Sequence, residues 1–140
     1  MQPINADTKA AWTVADLQAD TGWIYELDDR ARRDMLAAVR KARDPAKTLL
    51  DYRRSDFDLG SAWPVIERAL QEVATGTGFA VLRGMPRQDT TADEFELLTW
   101  AIGLHTGVAR PQGKASHYLS AVRDAGTTYR TGKGRGYSSN

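Results

Sequence analysis

Two histidines, a glycine-rich basic segment and one polar loop are the parts of this sequence whose side chains could do more than pack. His105 and His117 are the imidazoles, and a metal site could use both. Protein metal motifs, however, repeat their ligands at short intervals, as in HxD, HxxxH or HExxH, and none of these surrounds either histidine. His105 stands between Gly103 and Gly107 and reads as a helix-exit residue. His117 reads as a strand residue facing a pocket or solvent. The segment GKGRG at Gly132–Gly136 is rich in glycine, but a phosphate-binding loop needs GxxxxGK[ST] between a strand and a helix, and neither context is present. A Ser-His-Asp arrangement is spatial and cannot be assigned from residue order. Cysteine is absent, which excludes disulfides, thiolate metal sites and Cys nucleophiles.

The elements that must position these residues are mostly helical. Thr13 is placed to cap a short helix running to Asp20, with Asp16 at the capping-box position where Glu or Gln is more usual. Trp12, Val14, Leu17, Trp23 and Ile24 make this region an aromatic lid for the main body. Asp28 opens a longer helix, Asp29 to Arg43, in which Ala31, Met35, Leu36, Val39 and Ala42 recur at helical spacing. Its arginines and lysine are interleaved with acids and read as a solvated face. Residues 46–60 form a connector with an apolar patch at Leu49-Leu50. Ser61 to Thr75 is a third helix with an apolar stripe of Val65, Ile66, Ala69, Leu70 and Val73, closed by Gly76. The run Phe79-Ala80-Val81-Leu82, bounded by Gly76, Gly78, Gly84 and Pro86, predicts a buried strand. Thr90 or Thr91 caps a fourth helix to Ile102, ended by Gly103 and Gly107. Ser116 to Arg123 predicts a second strand. Residues 1–11 are polar and expected to be poorly ordered, and 125–140 form a loop-rich tail.

The bulk numbers describe an ordinary folded chain. Its 140 residues suffice for one domain, 41% are hydrophobic and 26% charged. A net charge of +1 gives no basis for a nucleic-acid or anionic-membrane partner. No apolar run approaches the roughly 18 residues that cross a bilayer. The start, MQPINADTKAAW, lacks the apolar core of a signal peptide. The expectation is a cytoplasmic α+β protein.

The order of the segments carries more information than any one of them. A Trp-rich start and a helix lead to GTGFAVLRGMP. The helix TADEFELLTWAIGLHTG follows, then the loop RPQG, the strand HYLSAVRDAG and finally GRGYSSN. Over roughly residues 12–140 this resembles the N-terminal part of the taurine dioxygenase (TauD/TfdA-like) family of Fe(II)- and 2-oxoglutarate-dependent oxygenases. In that family a GFxxLRG(L/M)P strand follows a helix, a GxxxG helix end leads to a PQ loop, and a VxDxG strand end (here Val122 to Gly126) precedes an RGYxxN-like segment.

The resemblance implies N-terminal helices plus the first strands of a double-stranded β-helix, or jelly roll, as one domain over 1–140. It implies an oxidoreductase that hydroxylates a small molecule while 2-oxoglutarate is decarboxylated to succinate. It also implies that Asn140 and Tyr137 line the active-site mouth, and that Gln112, His117 and Tyr118 face the substrate. Arg83, after the apolar strand, reads as a partner for a carboxylate at the barrel's edge. The departure from the family is the metal: its HxD pair and distant His are not in these residues. The expectation is therefore a truncated chain, with the jelly roll incomplete, no catalytic or metal-ligating residue, no bound iron or 2-oxoglutarate on its own, and self-association through unpaired strand edges. The competing reading is a non-catalytic module that binds a small molecule or a protein. A nucleic-acid binder fits the balanced charge least.

Overall fold

Side-chain caps decide where the helices begin. The computed structural model describes residues 9–112, 117–124 and 137–139. Thr13 and Asp16 form a reciprocal capping box ahead of helix α1 (Val14–Ala19), with Thr13 Oγ1 donating to Asp16 Oδ2 at 2.7 Å. Strand β1 (Ile24–Glu26) follows. Asp28 accepts from the Ala31 amide at 2.7 Å and opens α2 (Asp29–Ala42). Single 3₁₀ turns at Leu49–Asp51 and Arg54–Asp56 lead to α3 (Ala62–Thr75), β2 (Val81–Arg83) and α4 (Ala92–Thr106). Strands β3 (Val122–Asp124) and β4 (Tyr137–Ser139) complete the described elements. The chain divides into two units, residues 1–106 and 107–140.

In the first unit α2 is the central helix. Ala31, Met35, Ala38 and Val39 lie along one stripe, and α3 and α4 pack against the helix. Burying that stripe removes its apolar surface from water, which is the main source of helix stability in a folded chain. Leu27, Leu59, Ile66 and Leu98 are fully buried beside it. Ser61 does not cap α3 with its side chain. Its amide and hydroxyl both donate to Asp34 Oδ2, at 2.8 and 2.6 Å, and so tie the start of α3 to α2.

Four expectations need correction. The connector 46–60 is part of the core, because Tyr52, Phe57 and Leu59 are buried. The α3 stripe is only partly covered: Ile66 and Ala69 are buried, whereas Leu70 and Val73 are 37% and 45% exposed. Helix α4 does not stop at Ile102 but continues through Gly103 to Thr106. Glycine inside a helix costs about 1 kcal/mol relative to alanine, and the buried Leu97, Leu98, Trp100 and Ala101 hold the helix regardless. The strand predicted over Phe79–Leu82 is not buried. Its ladder starts at Val81, which is 38% exposed, with Leu82 half-buried and Arg83 exposed.

That strand has a partner the sequence did not suggest. β1 pairs with β2 in parallel, Ile24 opposite Val81, Tyr25 opposite Leu82 and Glu26 opposite Arg83. Arg83 Nη1 lies 3.5 Å from Glu26 Oε1, so the carboxylate expected beside Arg83 is there. Phe79 lies outside the ladder and meets Trp12 edge-on at 5.1 Å and Trp23 at 5.3 Å between ring centroids. This is the aromatic lid expected of the N-terminal segment. Gly84 closes β2 with φ +83°, and a Cβ there would lie 2.5 Å from the Leu27 carbonyl oxygen.

In the second unit, Gln112 and His117 form an antiparallel bridge, with the Gln112 amide donating to the His117 carbonyl at 2.8 Å. The strand expected over Ser116–Arg123 is not continuous. Tyr118 and Leu119 bend, and the extended ladder starts only at Val122. The irregular alternation of SHYLSAVR offers no single apolar face to hold those residues extended. β3 pairs antiparallel with β4, Val122 opposite Ser139 and Asp124 opposite Tyr137. The segment GKGRG and Asn140 lie outside the described residues. Among the described residues, no helix is long and apolar enough to cross a membrane.

Candidate functional site

The residues singled out by resemblance fall in the second unit, and among the described ones the backbone brings one pair together. The bridge sets Gln112 against His117, and both side chains are exposed. Tyr118 follows directly and is exposed as well. In the ladder, Tyr137 stands opposite Asp124. Gln112 offers an amide and His117 an imidazole, polar groups suited to orienting a substrate.

The other histidine has a packing role. His105 is half-buried in the last turn of α4, with Nδ1 2.8 Å from the Ala101 carbonyl oxygen. Its ring lies 5.1 Å from that of Trp63, and the Arg54 guanidinium lies 5.5 Å from the same indole. Among the described residues, no three His, Asp or Glu side chains stand close enough together to hold a metal ion. The described residues therefore do not fit a facial triad of two imidazoles and a carboxylate.

The first unit contains a feature that residue spacing alone did not single out. A cleft of about 410 Å³ opens beside α1, walled by Trp12 and Trp23 and edged by Asp16, Asp20, Glu72 and Lys9. Both indole N–H groups are held by backbone: Trp12 Nε1 donates to the Thr77 carbonyl at 3.0 Å and Trp23 Nε1 to the Leu17 carbonyl at 3.4 Å. The carboxylates are oriented as well. Asp20 Oδ1 accepts from the Gly22 amide at 2.8 Å, and Glu72 Oε1 from the Thr77 amide at 2.9 Å. Hydrogen bonds from the Thr13 hydroxyl and amide hold the Asp16 carboxyl below its ordinary pKa. The sequence signal was present in Asp16 and Asp20, which follow Trp12 at steps of four. Glu72 and Thr77 arrive from a distant part of the chain.

No family model matches the chain. It is 28% identical over 133 residues to FR-33289 synthase from Streptomyces rubellomurinus, a match covering 94% of this chain. The chain spans about 39% of the length of that curated relative. Nearly all of this chain is thus similar to part of a synthase, an enzyme by its name.

Proposed function

We propose that this chain is the N-terminal portion of a cytoplasmic Fe(II)- and 2-oxoglutarate-dependent dioxygenase that hydroxylates a small molecule. The observation that supports the reading is the match to a synthase over 133 residues, 94% of this chain. In this reading β1 to β4 are early strands of a jelly roll, and Gln112, His117, Tyr118, Tyr137 and Asn140 contribute to the wall of the substrate pocket. The described residues supply no metal triad. Iron and 2-oxoglutarate would be held by residues of the enzyme beyond this chain, and these 140 residues alone would not turn over.

The test is iron- and 2-oxoglutarate-dependent succinate formation, measured for the 140-residue chain and for the product of any reading frame that extends past codon 140. The expected result is no succinate from the chain alone. An extended frame should encode an HxD pair shortly after Asn140 and a later histidine, and its product should form succinate. Robust turnover by the 140-residue chain, or an extended frame without those ligands, would overturn the proposal.

A further inference from the structure

The cleft beside α1 is independent of the oxygenase reading and has a chemistry of its own. Its walls are the indoles of Trp12 and Trp23, and its ionisable edge is three carboxylates, Asp16, Asp20 and Glu72, against one ammonium, Lys9. With both indole N–H groups hydrogen-bonded to backbone, the rings have only aromatic surface left to present. The electron-rich face of an indole attracts cations and also accepts aliphatic chains.

The carboxylates are fixed but not neutralised. The ion pairs among the described residues are Arg32–Asp29, Arg40–Glu94, Arg43–Asp93 and Arg83–Glu26, and none involves Asp16, Asp20 or Glu72. Each of the three accepts a hydrogen bond from a nearby backbone amide, which sets its direction. The Glu72 carboxylate is folded back into the space that a Cβ on Gly76 would fill. A volume of about 410 Å³ lies within the range of small-molecule sites.

The carboxylates do not converge on one point, since no three acidic or imidazole side chains among the described residues could share a metal ion. A compact divalent ion would leave at least one carboxylate unmatched. Positive charges spread along an apolar chain would match separate carboxylates, while the methylenes between them lie against the indoles. We propose that this cleft binds a linear aliphatic diamine or polyamine.

The test uses spermidine as the probe and the full 140-residue chain, titrated by calorimetry and by tryptophan fluorescence at constant ionic strength. The expected result is saturable binding, tighter than that of butylamine, which has one charge, and of magnesium, which has no chain. Glu72→Gln and Asp20→Asn keep an oxygen for the Thr77 and Gly22 amides but remove charge, and each should weaken binding about threefold, the scale of one exposed ion pair. Lys9→Gln, at an exposed position where folding is not at risk, should tighten binding by a similar factor. Absence of saturable binding would overturn the proposal. So would magnesium or butylamine binding as tightly as spermidine, or affinities unchanged in all three variants.

Discussion

Arg40 Nε donates to Glu94 Oε1 at 3.0 Å, joining the last turn of α2 to the first turn of α4. The same guanidinium donates from Nη2 to the Asp89 carbonyl at 2.9 Å, so it also holds the loop that precedes the helix. Glu94 is a buried carboxylate, and its other oxygen accepts from the Thr91 amide at 2.9 Å in the capping box. One acid thus starts α4 and docks it. Removing the arginine while keeping its aliphatic bulk, as in Arg40→Met, strands a buried carboxylate, the costly direction in which to break such a pair. The expected outcome is a melting temperature several degrees lower, with α4 the first element to lose amide protection in hydrogen exchange. An unchanged melting temperature would count against this role for the pair.

Acid should destabilise the protein through two long-range carboxylates. The Arg40 guanidinium, then the Thr91 amide, holds the Glu94 carboxyl below its ordinary value of 4.5. The Ser61 hydroxyl and amide hold Asp34 below 3.8. A carboxyl with a depressed folded pKa contributes stability that is complete above its unfolded pKa and is lost as pH falls through the folded one. The melting temperature should be flat near neutrality and fall once pH drops below about 4.5. Asp34→Asn combined with Glu94→Gln should lower the plateau and shallow the fall. Calorimetry across this range checks it, and a melting temperature that rises on acidification would contradict the assignment.

Three glycines should respond in opposite ways to alanine. At Gly60 (φ +52°) a Cβ would sit 2.6 Å from Asp34 Oδ2, and at Gly84 (φ +83°) it would press on the Leu27 carbonyl. A left-handed conformation costs a non-glycine residue roughly 1–2 kcal/mol before any clash, so both substitutions should destabilise by at least that amount. Gly103 sits inside α4 with nothing within 4 Å of a Cβ. Gly103→Ala should therefore stabilise by roughly 0.5–1 kcal/mol. Urea unfolding of the three variants gives the comparison.

The contrast between Gly103 and Gly84 shows what residue order could and could not reveal. Caps are local, so Thr13, Asp28, Thr91 and the helices they start were legible, as was most of the α2 stripe. The end of α4 was not, because buried Trp100 and Ala101 outweigh the local preference of Gly103 for a break. β1 was hidden in a short segment, Ile24–Glu26, whose extended form depends on pairing with β2 far along the chain. The cleft was hidden for the same reason. Trp12 and Asp16 are neighbours in sequence, but Thr77, which anchors the Trp12 indole, and Glu72, which adds the third carboxylate, come from the end of α3 and the turn after it.

The exposed part of the β1·β2 sheet should drive self-association. Among the described residues each strand has a single partner, whereas parallel strands are normally covered on both faces. Val81 on β2 and Leu70 and Val73 on α3 are exposed apolar side chains on two elements that pack together. An unpaired edge beside such surface favours pairing with a second copy. In sedimentation velocity the mean sedimentation coefficient should rise with protein concentration. Val81→Lys puts a charge on the strand without removing a backbone donor, which is how natural sheets protect their edges. It should return the protein to a single slow species at all concentrations, with the melting temperature nearly unchanged because Val81 is already partly solvated. Concentration-independent sedimentation of the unaltered chain would show that its strand edges are protected without a partner, and the expected self-association would be wrong.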